Sequence, residues 1–374
     1  MDGSRFFDED GMRELSKSAN FNNLKGFYSG DLVTNRMNAI RESINYIRRN
    51  WEKYPDFMNI MEGMLCGFGF DSATDSGCAL SAASLFKERD WEHVEDYSLI
   101  VLYTDTKFYS KVFKICSNIF RDDESVESRN LIQSAVFLVE LLNIELHNYC
   151  INNPNKKNYT GNVYRGMSIS NTDVEKVKEL LDLPLNNRYI SIPLSLTSSS
   201  KDKEISLDFI RKNSAVGKVG LLYQIKVLNL EDCYLNLYWK YFPKSVVSTI
   251  CAVDISELSV VPKEQEVLLR GAFMQILNVR PYDDVECEVW LVDAVMINSS
   301  RDHIVTAHLG DQDADARAFF GTMVGLTRAK YCKEYCEKHE LHEDVQKYSE
   351  LIQELTSKFD KLNEKLSNSN NQAY

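Results

Sequence analysis

Three groups of polar residues have the types and the spacing to do chemistry. Arg165 and Gly166 stand where a β-rich stretch begins, a serine-rich run covers 195 to 200, and Glu264 and Glu266 flank one glutamine. A guanidinium suits phosphate because its planar fork matches the phosphate oxygens. Residues i and i+2 of a strand share one face, so an extended segment would place both glutamate carboxylates on the same side.

Each group taken alone has a simpler interpretation. An arginine at the start of a strand is most often a surface charge. The serines at 198 to 200 could form a turn, or cap the helix predicted in KDKEISLDFI, 201 to 210. Two glutamates at the entrance of a strand often serve only to stop sheet edges from pairing. A functional interpretation therefore depends on the combination of the three groups.

The elements that must position these groups are helices first and strands later. Helical spacing of apolar residues occurs in 33 to 54 and over a stretch of roughly 92 to 149. Strands are predicted at 218 to 228, 266 to 279 and 287 to 297, where apolar and β-branched residues dominate. No helical pattern alternates with each strand, so we expect an α+β fold and not a doubly wound parallel sheet.

The C-terminal part is predicted to be helical again. Apolar residues recur there at alternating spacings of four and three, which gives a seam of nearly four heptads. Its members are Leu341, Val345, Tyr348, Ile352, Leu355, Phe359, Leu362 and Leu366. The seam could mediate self-association, bind a helical partner or fold back on its own chain, and packing within the chain is the simplest of these.

Composition limits the classes of function. The chain has 374 residues and a net charge of −12, which argues against a general nucleic-acid binder because such a protein needs a basic surface. The N-terminal residues lack the apolar core of a signal peptide, and no run approaches the length of a membrane-spanning helix. The nine cysteines follow no disulfide pattern. We therefore expect a cytoplasmic protein with reduced thiols and no membrane or nucleic-acid partner.

One further cluster invites a metal interpretation. Cys332, Cys336, His339 and His342 fall within one predicted helix. A single straight helix can direct two of these side chains at one ion, but not the four that a tetrahedral site needs. We therefore predict packing and surface roles for them, and no metal.

The order of an arginine, a serine-rich strand end and Glu-x-Glu before an apolar strand resembles the arginine–serine–glutamate class of mono-ADP-ribosyltransferases. The stretch VVSTICAVDISELSVVPKEQEVLLRGAFMQI, 246 to 276, is especially similar to the segment of the eukaryotic members that contains Glu-x-Glu-Val-Leu. LYTDTKFYSKVF, 102 to 113, resembles the family's N-terminal helix. The resemblance covers roughly 85 to 300 and implies a mixed two-sheet ADP-ribosyltransferase-type core, preceded by helices and followed by a helical C-terminal extension.

The resemblance implies how NAD would be bound. Arg165 would hold the pyrophosphate, the backbone at Gly166 would hold the nicotinamide carboxamide, and Ser198 would fix the catalytic carboxylate. Phe209 matches an aromatic residue that stacks on nicotinamide, although a core position in a helix is an equally good interpretation. The implied NAD-binding residues are Arg165, Gly166, Ser198, Phe209, Tyr103, Tyr109 and Glu266.

The resemblance also implies the reaction. Glu266 would bond the ribose 2′-OH and stabilise the positive charge that develops as nicotinamide leaves. Glu264 would meet the acceptor, an arginine of a protein substrate, and the loop 255 to 263 would help to select it. NAD glycohydrolase is the implied side activity, and Arg165, Ser198, Glu264 and Glu266 are the implied catalytic set. The alternative is an inactive relative that serves as a binding module, because Ser199 stands where the family has threonine and Phe113 stands near the position where the family has asparagine.

The helical patterns and the resemblance together divide the chain into three parts. Residues 1 to 80 are expected to form an N-terminal helical extension. Residues 81 to 300 would form the catalytic domain. Residues 301 to 374 would form a C-terminal helical, coiled-coil-like segment.

Overall fold

The structure is a computed structural model of the chain. It describes residues 97–104, 142, 146, 149–150, 152–156, 158–243, 246–247, 251–284, 286–298, 304–305 and 313–371. The helix predicted at 33 to 54 and most of the helical stretch predicted at 92 to 149 lie outside these residues.

The described residues form two compact units. The first contains those up to 156 together with Ile192–Thr197 and Ile255–Glu266. The second contains Asn158–Ser191, Ser198–Asp254 and the described residues from Val267 onwards. Among the helices that the structure describes, none combines the length and the apolar character that a bilayer crossing requires.

The strands form one larger sheet and one small sheet. In chain order they are β1 (Gly161–Ser170), β2 (Tyr189–Ser200), β3 (Lys218–Leu228), β4 (Val246–Val247), β5 (Ala252–Asp254), β6 (Glu266–Tyr282), β7 (Val289–Ile297) and β8 (Ile304–Val305). The larger sheet has the order β2-β1-β3-β7-β6-β5, and β4 pairs with β8. β3 and β7 are parallel, whereas β1 with β3, β6 with β7 and β5 with β6 are antiparallel.

The predictions of strands and of the fold class are confirmed. The segments predicted at 218 to 228, 266 to 279 and 287 to 297 fall on β3, β6 and β7. β3 is an interior strand, and its alternate residues are all buried, namely Val219, Leu221, Tyr223, Ile225 and Val227. The sheet is mixed, so a doubly wound parallel arrangement is excluded and the fold is α+β.

Six helices accompany the described strands. They are α1 (Ser98–Thr104), α2 (Asn171–Glu179), α3 (Lys203–Lys212), α4 (Asp232–Tyr241), α5 (Asp313–Lys338) and α6 (His342–Asn371). Short 3-10 turns cover Leu180–Asp182, Leu185–Asn187 and Pro262–Glu264. The cap of α3 is Asp202, whose carboxylate accepts the backbone N–H of Glu204, so the serine run itself does not cap this helix.

The apolar seam of α6 packs within its own chain. Its first half joins a buried cluster with residues of α5 and of the sheet, among them Leu277 and Val295. Its second half packs against α4 and α5, and the ring of Phe359 stacks on Phe319 with centroids 5.2 Å apart. These contacts confirm the interpretation that the seam folds back on the chain.

The cysteine–histidine cluster does not lie on a single helix, which corrects the prediction. α5 ends at Lys338, and Glu340, with a φ of 59°, turns the chain before α6 begins at His342. Cys332 and Cys336 are buried in α5. The ring of His339 stacks on Tyr335 at 4.2 Å.

Arg188 and Asp344 link the residue before β2 to the first turn of α6. Arg188 is 5% exposed and donates two hydrogen bonds to the Asp344 carboxylate, at 2.8 and 3.3 Å. Burial alone would raise the pKa of Asp344, but hydrogen bonds from Arg188 and Lys347 hold that pKa below its usual value. The ion pair therefore stabilises the folded chain only while Asp344 is ionised.

Substituting Asp344→Asn is expected to lower the free energy of unfolding by about 2 kcal/mol at pH 7, because Arg188 stays buried without its carboxylate. The folded pKa lies below the unfolded one, so this stability is present above the unfolded pKa, about 3.9, and is lost as pH falls through the folded pKa. Denaturant unfolding of both proteins between pH 7 and pH 2 should show the difference shrinking. Lys347→Ala, which removes an exposed partner, is the control and should cost under about 0.5 kcal/mol. An equal loss in the two variants would contradict the prediction.

Candidate active site

Arg165 and Ser198 meet in the second unit. Arg165 is a central residue of β1, and its Nη1 donates to the backbone carbonyl oxygen of Ser198 at 2.7 Å. Tyr223 pairs with Arg165 across β1 and β3. Burial raises the pKa of the Tyr223 hydroxyl well above its usual value, while the Arg165 charge acts in the opposite direction. The guanidinium is therefore oriented by the end of β2 and lies beside a phenol that stays neutral.

Two residues of the serine run bond to backbone groups, and the Ser200 bond is of the turn type that the sequence allowed. Ser199 is 5% exposed, and its hydroxyl donates to the carbonyl oxygen of Val267 at 2.7 Å. The Ser200 hydroxyl accepts the backbone N–H of Asp202 at 2.9 Å, just before α3. Because Val267 directly follows Glu266 in the chain, Ser199 anchors the backbone that leaves this glutamate.

Gly166 is required by the packing of α3 on β1. A Cβ atom at this position would lie 2.1 Å from the backbone oxygen of Ser206 and 2.9 Å from Cγ1 of Ile210. Gly220, on the neighbouring strand β3, faces the same isoleucine, with a Cβ placed 2.5 Å from its Cγ2. The Cβ side of Gly166 is thus occupied by the helix.

Phe209 lies on the outer face of α3 and is 52% exposed. The interpretation of Phe209 as a core residue is therefore wrong. Leu207 and Ile210 fill the core from this helix, where they pack with Leu222, Val289 and Leu291. Because these core contacts hold the helix in place, the exposed ring of Phe209 can stack on a planar group.

Glu266 is a buried carboxylate of the first unit. It is the first residue of β6 and is 3% exposed. Its Oε2 lies 3.2 Å from the hydroxyl of Ser259, and its backbone carbonyl accepts the N–H of Ile255 at 3.0 Å. A buried carboxylate is unfavourable unless its oxygens are hydrogen-bonded. The Ser259 contact therefore holds the carboxylate, and the Ile255 bond holds the backbone that carries it.

Glu264 and Glu266 do not share a face of one strand, which corrects the prediction. Glu264 ends the 3-10 turn, and Gln265 is left-handed with φ 45° and ψ 53°. β6 begins only at Glu266, so the residues between the carboxylates are not extended. Glu264 is half-buried while Glu266 is buried, which places the two carboxylates in different environments.

Tyr103 is a buried residue of the first unit. It is 1% exposed, and its hydroxyl donates to the carbonyl oxygen of Leu196 at 2.7 Å. The neighbouring Thr104 accepts the backbone N–H of Val260 at 3.0 Å. Tyr109 lies outside the described residues. Of the predicted site residues, Arg165, Gly166, Ser198 and Phe209 belong to the second unit, and Tyr103, Glu264 and Glu266 belong to the first.

No family model matches the chain. No curated protein resembles it closely enough to count as a match. Among solved structures, the chain is similar to the ADP-ribosyltransferase Vis from Vibrio splendidus in complex with agmatine, at 14% identity and a TM-score of 0.34 over 64% of this chain and 85% of that one. It is similar to ADP-ribosyltransferase HopU1 of Pseudomonas syringae, at 14% identity and a TM-score of 0.34. That match covers 56% of this chain and 84% of the other. It is also similar to an ADP-ribosyltransferase from Clostridium botulinum, at 13% identity and a TM-score of 0.32. That match covers 61% of this chain and 96% of the other.

Proposed function

We propose that the protein is an NAD-dependent mono-ADP-ribosyltransferase that modifies arginine side chains of a protein substrate and releases nicotinamide. The observation that carries the proposal is the buried Glu266 carboxylate, 3% exposed and contacted by the Ser259 hydroxyl at the start of β6. Burying a carboxylate is unfavourable, and such groups concentrate at functional sites. The motif order of Arg165, the serine run and Glu266 agrees with that reaction.

NAD is the co-substrate, and the mechanism needs no metal. Arg165, oriented by the Ser198 carbonyl, binds the pyrophosphate, since its planar guanidinium matches phosphate oxygens. The exposed ring of Phe209 stacks on nicotinamide. Gly166 contributes through its backbone alone, because α3 occupies its Cβ side. Tyr103 is assigned no NAD contact, since it is buried with its hydroxyl bonded to Leu196.

The reaction breaks the bond between the nicotinamide nitrogen and C1′ of the ribose, and nicotinamide departs with the bonding electrons. Glu266 accepts a hydrogen bond from the ribose 2′-OH and stabilises the positive charge left on the sugar. An arginine nitrogen of the acceptor then bonds to C1′. Its guanidinium is a poor nucleophile while fully protonated, so Glu264 takes the proton as the new bond forms.

The loop 255 to 263 is proposed to help select the acceptor protein. It immediately precedes Glu264, and its Val260 is 51% exposed. The neighbouring backbone is fixed, because the Val260 N–H is bonded to Thr104. An apolar side chain presented on a fixed loop suits recognition of a protein surface beside the target arginine.

The direct test incubates the purified full chain with labelled NAD and two acceptors, an arginine-rich protein and agmatine. Agmatine is a small guanidine and is the compound in the Vis complex. We expect label on both acceptors and release of nicotinamide. Absence of both label transfer and nicotinamide release, with NAD in excess and across a range of acceptors, would overturn the proposed function.

Substituting Glu264→Gln is expected to lower transfer to agmatine about a hundredfold, because the acceptor loses the carboxylate that takes its proton. Nicotinamide release to water should stay within about threefold of wild type, since that step depends on Glu266. Both rates can be measured in one reaction by counting labelled agmatine and free nicotinamide. Glu175→Gln, at an exposed position of α2, is the control and should change neither rate. Equal losses of the two activities in the Glu264 variant would contradict the division of roles.

A further inference from the structure

The segment 255–266, here called the Glu266 loop, is closed by a backbone hydrogen bond between its two ends, and a second bond forms a turn at its start. The N–H of Ile255 donates to the Glu266 carbonyl at 3.0 Å, and the N–H of Leu258 donates back to Ile255 at 2.8 Å. Ile255 is fully buried. The loop therefore has a defined backbone, and Glu266 is part of its closure.

Ser259 joins this backbone to the Glu266 side chain. Its Oγ lies 3.2 Å from Glu266 Oε2 and also 3.2 Å from the backbone nitrogen of Val261. The amide can only donate, so the serine oxygen accepts from it. The carboxylate can only accept when ionised, so the single hydroxyl proton points to Glu266. The neighbouring amide thus fixes the direction of the bond to the carboxylate.

The residue that follows Ser259 is anchored as well. Val260 donates its N–H to the Thr104 hydroxyl at 3.0 Å, and that hydroxyl donates to the carbonyl of Val101 at 2.7 Å. Thr104 and Ser259 are both buried, at 6% and 5% exposure. The backbone beside Ser259 is therefore held by a hydrogen-bond network that reaches α1.

We infer that Ser259 is a positioning residue for the Glu266 carboxylate, an inference that rests on the proposed function. Through Ser259, the loop that precedes the acceptor-binding Glu264 also orients the group that acts on NAD. The contact of 3.2 Å is long beside the usual value of about 2.8 Å for hydroxyl donors. Catalytic hydrogen bonds often shorten in the loaded enzyme, so we expect this one to tighten when NAD binds.

The test compares Ser259→Thr with Ser259→Val, because these side chains have the same shape and differ by the hydroxyl. Nicotinamide release is measured at saturating NAD, together with the KM for NAD. We expect kcat about tenfold lower in the valine variant than in the threonine variant, with KM changed less than about twofold. Ser259→Ala, which adds no volume in the buried site, should lose kcat to the same extent as the valine variant.

Ser349→Ala is the control, since it removes a serine hydroxyl that donates to the Val345 carbonyl within α6, and it should keep the wild-type kcat. Equal kcat values for the threonine and valine variants, or wild-type kcat in Ser259→Ala, would overturn the inference while leaving the proposed function intact. A purely structural role would instead lower the unfolding temperature of Ser259→Ala in step with its kcat, and that result would also overturn the inference. A wild-type chain that turns over no NAD would overturn both.

Discussion

Replacing Glu266 with glutamine is expected to lower transfer and nicotinamide release together, each by about a thousandfold. Glutamine has nearly the same size, and its amide oxygen can still accept the Ser259 hydroxyl, so the loop around it stays closed. What is lost is the negative charge beside a ribose that becomes cationic as nicotinamide leaves. Steady-state assays with labelled NAD, with and without agmatine, measure the two rates.

Two comparisons make the Glu266→Gln result specific. The Glu175→Gln control removes an exposed carboxylate of α2 and should keep both rates. Calorimetric binding of NAD separates chemistry from affinity, and we expect the dissociation constant to change far less than the rate. Retention of more than a tenth of either activity would show that another group stabilises the charge, and the assignment of Glu266 would be wrong.

The elements that carry the site were predictable where the sequence has strong periodicity. β3, β6 and β7 are rich in apolar and β-branched residues, and interior strands of a mixed sheet need such residues on both faces. The heptads of α6 predicted a helix with an apolar seam for the same reason. Periodicity does not say what covers a seam, and the contact of Phe359 with Phe319 had to come from the fold.

The details around the glutamates were not predictable, because the conformations there go against residue preference. Gln265 is left-handed, a state that glycine and asparagine favour, so the residue types in Glu-Gln-Glu give no signal for this turn. Ser259 is seven positions before Glu266 and belongs to no motif, so only the closed loop brings their side chains together. A serine followed by a Val-Val-Pro segment gives no sequence signal for a bond to a carboxylate.

The structure gives Gly166 a packing role that the resemblance did not indicate. The resemblance implied only that the backbone at this glycine would hold the nicotinamide carboxamide. In the structure α3 lies against this glycine, with the Ser206 carbonyl where a side chain would begin. The glycine therefore allows the helix that carries Phe209 to pack close to β1. In this way it links the folding of the second unit to the proposed NAD contacts.

Substituting Gly166→Ala is expected to lower the free energy of unfolding by about 3 kcal/mol, at the upper end of overpacking costs. The new methyl group would lie 2.1 Å from a backbone oxygen, which no change of side-chain rotamer can relieve. α3 must move away from β1, and this movement opens gaps around Leu207 and Ile210. Denaturant unfolding measures the loss, and the affinity for NAD should fall with it because Phe209 moves with the helix.

Gly321→Ala is the matched control, because the same substitution should raise the free energy of unfolding there instead of lowering it. Gly321 is an exposed residue within α5, and a Cβ atom there meets nothing within 4 Å. Alanine is favoured over glycine in a helix, so this variant should gain about 0.5 to 1 kcal/mol. If both alanine variants instead shifted stability in the same direction, close packing of α3 on β1 could not be the reason for the glycine at 166. A destabilised Gly166→Ala that bound NAD normally would separate the two roles, leaving the glycine to folding alone.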